Sequence, residues 1–131
     1  MDHFVWDDTY KTGDQKIDQE HKRIFSAANI LQKAIDQKSE GAILDKAMLM
    51  LLEYTTLHFD REITFFKSIG CSDIDEHRQA HQELVDEIVL LRKSYGQVSD
   101  EDLTRQLELW MVKRLLPHIK ESDVDVLKSA R

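Results

Sequence analysis

The sequence predicts an all-α fold, an up-down-up-down four-helix bundle with an N-terminal arm, and three observations carry that expectation. Four segments repeat apolar residues at steps of three and four, the spacing of one stripe of an α-helix. The 131 residues include only 4 Gly and 1 Pro, and 33% are charged, which suits long helices better than many strands and turns. The connections between segments are only about four to eight residues, as expected for antiparallel neighbours in a bundle.

Residues 1–17 form the arm. It carries Phe4, Trp6 and Tyr10, too aromatic for an ordinary disordered tail. The first helix is expected over about 18–37, with Ile24, Phe25, Ala28, Leu31 and Ile35 on one face. The second is expected over about 42–67, with Ala47, Met50, Leu51, Tyr54, His58, Glu62 and Phe65 inward. The third is expected over about 73–95, with Ile74, His77, His81, Leu84, Ile88 and Leu91 in one stripe. The fourth is expected over about 100–121, with Leu103, Leu107, Trp110, Leu115 and His118 inward. Gly41 and Gly70 interrupt the pattern, and Gly96 follows Tyr95 where a C-terminal cap would sit. Ser72 with Asp75, and Ser99 with Asp102, resemble capping boxes with Asp in place of Glu.

Composition bounds the function. The length suits a single domain over 1–131 with a substantial core. A formal net charge of −7 argues against nucleic acid as a partner, which requires clustered Lys and Arg. No stretch approaches the roughly 20 apolar residues that span a bilayer, so no membrane insertion is expected. The N-terminus lacks the basic and apolar regions of a signal peptide. The single cysteine, Cys71, excludes an internal disulfide framework and fits a reducing cytoplasm. Nothing in the stripes demands a dimer, so a monomer is expected.

The chemistry lies in the histidines. His58 is followed four residues later by Glu62, and His77 four residues later by His81. Residues four apart share a helix face, so each pair can address one site. His118 precedes Asp123 by five residues, and His21 stands at the start of an apolar-periodic run. Five imidazoles and two carboxylates suit iron and other first-row metals. Seven ligands exceed a tetrahedral zinc site but divide between two octahedral-type ions if both carboxylates bridge. One ion then takes three imidazoles and the other two, with an open position on the second. Five residues of regular α-helix turn His118 and Asp123 apart by about 140° beyond a full turn. A π-type irregularity near residues 117–122 would bring them together, and Pro117 lies where it would disturb the helix.

Other candidates have plainer readings. His3 lies outside any periodic run and reads as a packed residue. Met48, Met50 and Met111 read as core filler, and Cys71 as incidental. The acidic run from Ser99 to Asp102 is a solvated helix start without an EF-hand pattern.

The ordered motifs resemble the hemerythrins, specifically the single-domain bacteriohemerythrins. That family's signature is one His after an N-terminal arm, then His-x3-Glu, His-x3-His and His-x4-Asp. Here these are His21, His58 to Glu62, His77 to His81, and His118 to Asp123. The arm matches as well: Trp6-x3-Tyr10-x2-Gly13-x3-Ile17-Asp18-x2-His21. The resemblance spans nearly the whole chain.

It implies two non-haem iron ions, cycling between Fe2+ and Fe3+, with a bridging oxo or hydroxo group. His77, His81 and His118 would bind one iron, His21 and His58 the other, and Glu62 and Asp123 would bridge. It further implies reversible O2 binding at the open position of the two-His iron. An apolar pocket is needed there, and Ile24, Phe25, Phe59, Leu115 and Ile119 flank the ligands. Three residues depart from the family. Glu20 stands where Gln is usual and is expected to raise the basicity of His21. Arg114 stands where an aromatic is common and is expected to alter the pocket wall, and Pro117 is unusual.

The leading expectation is a non-enzymatic O2 carrier or store, or a donor to an oxygen-consuming enzyme. The alternatives are an O2 or redox sensing module and a di-iron oxidase, peroxidase or NO-handling enzyme. No Glu-x-x-His motif of the carboxylate-rich di-iron enzymes occurs in the sequence.

Overall fold

In the computed structural model, residues 4–70 and 74–119 are described, and they form an all-α four-helix bundle. Helix α1 spans Gln15–Asp36, α2 Gly41–Ser68, α3 Ile74–Lys93 and α4 Asp100–Trp110. Each packs on its neighbour in sequence, α1 on α2, α2 on α3 and α3 on α4. His3, Cys71, Ser72 and Asp123 lie outside the described residues.

Helix α1 starts three residues before the expected position 18, because Asp14 caps it. Its carboxylate accepts the Ile17 N–H at 2.9 Å, satisfying one of the free donors of the first turn. The apolar pattern cannot reveal this turn, since Gln15 and Lys16 are exposed and only Ile17 is buried. Ser99 caps α4 by accepting the Asp102 N–H at 3.1 Å, while the Asp102 carboxylate pairs with Arg105 at 2.6 Å. Gly70 follows α2 with a φ of +76°, a left-handed conformation that suits glycine. At Gly41 the Tyr95 hydroxyl would lie 1.5 Å from an added Cβ, so a side chain there requires the Tyr95 ring to move.

The core runs the length of the bundle through Ile24, Leu31, Met48, Leu51, Leu84, Ile88, Leu103, Leu107 and Met111. The inward stripe of α2 matches the expected one at Ala47, Leu51, His58 and Glu62 and differs from it elsewhere. Leu44, Met48, Leu51, Thr55, Phe59 and Phe66 are buried, whereas Met50 and Phe65 are half-buried and Tyr54 is exposed. Apolar residues surround this helix on all sides here, so three- and four-residue steps cannot be told apart by hydropathy alone.

The arm is docked. The amide of Asn29 on α1 accepts the Phe4 N–H and donates to the Phe4 carbonyl, both at 2.9 Å. Phe4 is buried, and Trp6 and Tyr10 meet Phe25 edge-on, with ring centroids 5.4 and 4.8 Å apart.

After Trp110 the chain widens into a π-helical turn at Met111–Leu115. The Leu116 N–H donates to the Met111 carbonyl, five residues back. The irregularity therefore begins before the expected window of 117–122, although His118 and Ile119 again take π geometry. The cause lies in Pro117, whose ring crowds the carbonyl four residues earlier and which offers no N–H. The distortion is thus absorbed on its N-terminal side. No helix among the described residues is long and apolar enough to cross a membrane.

Candidate metal centre

Each helix brings its part of one buried cluster. Helix α1 contributes His21, α2 contributes His58 and Glu62, α3 contributes His77 and His81, and His118 follows the π turn. All six are buried, Glu62 completely. Their donor atoms form two groups that share Glu62, one with His77, His81 and His118 and one with His21 and His58. Within each group the atoms lie within 4.8 Å of one another.

The carboxylate is divided between the groups. Glu62 Oε1 lies 2.9 Å from His77 Nε2 and 3.1 Å from His81 Nε2. Oε2 lies 2.9 Å from His58 Nε2 and 3.4 Å from His21 Nε2. Four imidazoles thus turn the same nitrogen toward one carboxylate. The rings within a group are close, with centroids 4.4 Å apart for His21 and His58 and 4.3 Å for His77 and His81. The His118 ring lies 4.9 Å from that of His81. A fully buried carboxylate is costly without positive compensation. Two cations, one per group, fit this need, and imidazole with carboxylate is a donor set for iron.

Aromatic and apolar residues enclose the cluster. Phe59 stacks on His81 at 3.7 Å between centroids and 3° between planes, and meets His118 edge-on at 5.6 Å. It therefore sits nearest the three-imidazole side. Ile24, Leu115 and Ile119 are buried, while Phe25 is buried against the arm. Sequence reasoning missed two walls. Phe66 packs edge-on against His77 at 4.7 Å, and its signal was its place four residues after Glu62. Trp6 of the arm lies 6.4 Å from His21, ring to ring. A cleft of about 450 Å³ between α2 and α3 reaches Phe59 and His81 from the surface, past Thr56, Asp60, Arg78 and Gln82.

Two expectations about the departing residues are corrected. Glu20 does not act on its sequence neighbour His21. Its Oε1 lies 3.2 Å from His58 Nδ1, and its Oε2 accepts from Arg61 Nη1 at 2.6 Å. Successive helix residues diverge by about 100°, so Glu20 faces α2 beside His21 rather than touching it. Burial alone would push the Glu20 carboxyl up, but hydrogen bonds and charge from His58 and Arg61 hold it below the usual carboxylate range. Arg114 is no part of the pocket wall. It is half-exposed and grips Glu87 of α3, with Nη2 to Oε2 at 2.9 Å, and Trp110 Nε1 donates to the same carboxylate at 3.1 Å.

Comparison with known proteins follows the same lines. The family model described as Hemerythrin HHE cation binding domain matches residues 12–129. A bacteriohemerythrin of Pseudomonas paraeruginosa is 30% identical over 131 residues, covering 100% of this chain and 84% of that protein. A hemerythrin-like protein of Naegleria gruberi is 27% identical over 121 residues, 92% of this chain and 88% of that one. A myohemerythrin of Theromyzon tessulatum is 28% identical over 120 residues, with 92% and 88% covered.

Proposed function

The chain belongs to the hemerythrin family, and on that premise we propose that it binds O2 reversibly at a di-iron centre, as a carrier, store or local donor. The observation that supports this most is the division of Glu62, one oxygen toward each imidazole group. In this reading His77, His81 and His118 would hold one iron, and His21 and His58 would hold the other. Glu62 would bridge them, and Asp123 would be the second bridge by its place in the motif. When bound, the iron pair supplies two electrons to O2 and takes them back on release.

The chain's own residues keep that exchange reversible. Ile24, Phe25, Phe59, Leu115 and Ile119 exclude water from the cluster. A wet pocket would deliver protons and leave an oxidised, inert site. Nitrogen-rich ligation favours binding over oxidation of a substrate, because fewer anionic ligands stabilise high-valent iron less well. Beside it stand the expectations of a cytoplasmic location, from the single cysteine, of a monomer, from the helix stripes, and of a binding protein rather than an enzyme.

O2 consumption tests this. The iron-loaded, reduced protein is expected to take up one O2 per iron pair and stop, with or without an electron donor. Continuous consumption with a donor would instead mark an oxidase, peroxidase or NO-handling enzyme.

A further inference from the structure

We propose that Glu20 and Arg61 are positioning residues for His58, and through it for the iron on the two-imidazole side; the iron part rests on the di-iron reading above. His58 meets a carboxylate at each ring nitrogen. Nε2 lies 2.9 Å from Glu62 Oε2, and Nδ1 lies 3.2 Å from Glu20 Oε1. A neutral imidazole carries one proton. To offer Nε2 as a metal ligand, His58 must carry that proton on Nδ1, where the Glu20 carboxylate accepts it.

Glu20 is itself fixed. Its side chain is only 9% exposed, and Arg61 donates to its other oxygen at 2.6 Å. Arg61 follows His58 by three residues on α2, so ligand and anchor occupy one face of one helix. Glu20 comes from α1, immediately before His21. The chain Arg61–Glu20–His58 therefore crosses the α1–α2 interface and sets the rotation of the His58 ring. A carboxylate on the far nitrogen also makes the ring a stronger donor, which favours ferric over ferrous iron. The guanidinium orients the carboxylate. The pair thereby tunes how readily the centre oxidises, and it acts on His58 rather than on the adjacent His21.

The test compares wild type with Glu20→Leu, the near-isosteric Glu20→Gln and Arg61→Leu. Nitrogen-15 NMR of the metal-free protein reads whether His58 carries a proton on Nδ1. Wild type is expected to carry it there, Glu20→Gln to retain it through its amide oxygen, and Glu20→Leu to lose it from Nδ1. In the iron-loaded protein, Glu20→Leu is expected to weaken one of the two irons by about 10–100-fold. Glu20→Gln is expected to raise the reduction potential and Arg61→Leu to shift it, both irons being retained. An Nδ1 proton kept by His58 in Glu20→Leu, with iron affinity within about twofold of wild type, would overturn the proposal. Should Glu20→Leu fail to fold, a potential in Glu20→Gln equal to wild type overturns it as well. Wild type that binds no iron would sink the di-iron reading alone, because the Nδ1 proton is read without metal.

Discussion

At Glu62 a completely buried carboxylate stands among the Nε2 atoms of His21, His58, His77 and His81. In the proposed di-iron reading its charge would compensate two buried cations and its two oxygens would link them. Glu62→Gln keeps the size and removes the charge. Its iron content is expected to fall well below two per chain, with helical content unchanged, as read by metal analysis beside circular dichroism. Two irons retained in the variant would deny the bridge. The pairing of His58 with Glu62 and of His77 with His81 in the cluster was legible in the sequence, because i, i+4 pairs carry their geometry with them. The target of Glu20 was not, since adjacency to His21 in sequence is divergence on a helix. Arg61, Phe66 and Trp6 were equally hidden, because each meets the cluster from another element or another turn.

Elements were legible where an apolar stripe alternates with a charged face, as in α3 and α4. Their buried positions His77, His81, Leu84, Ile88, Leu103, Leu107 and Trp110 all belong to the expected stripes. In α2 the expected stripe holds at Ala47, Leu51, His58 and Glu62 but not at Met50, Tyr54 and Phe65, because Leu57 and Tyr54 on its outer side are also apolar or aromatic. Caps decide boundaries that stripes cannot. Asp14 is the case at hand, starting α1 before its first buried residue. Asp14→Ala is expected to lower stability by about 0.5–2 kcal/mol, as measured by urea unfolding, without changing iron content. A loss below that range would mean that the Thr12 and Asp18 contacts hold this turn alone. Pro117 is a second case. Its presence announced an irregularity, but the π turn falls at Met111–Leu115, because strain from proline passes toward the N-terminus.

Across the whole molecule, composition and periodicity foretold the all-α bundle, and short connections foretold its sequential packing. The docking of the arm was foreshadowed only by its aromatic content. Its actual clamp is Asn29, an unremarkable polar residue on α1 that binds both backbone groups of Phe4. Asn29→Ala is expected to cost about 1–3 kcal/mol by denaturant unfolding and to shift Trp fluorescence to the red as Trp6 loosens from Phe25. An unshifted spectrum would place the arm's anchorage in its aromatic contacts alone. With the arm seated, Trp6 and Phe25 cover the His21 side while Phe59 and Phe66 pack against the histidines of α3. That enclosure is what a reversible site requires. The direct measurement is optical: the iron-loaded protein is reduced without air, O2 is admitted, and the gas is then withdrawn under vacuum. A coloured species that forms with O2, fades under vacuum and returns through repeated cycles is the expected result. Colour that bleaches irreversibly, or a spectrum fixed in the oxidised form after the first exposure, would contradict it.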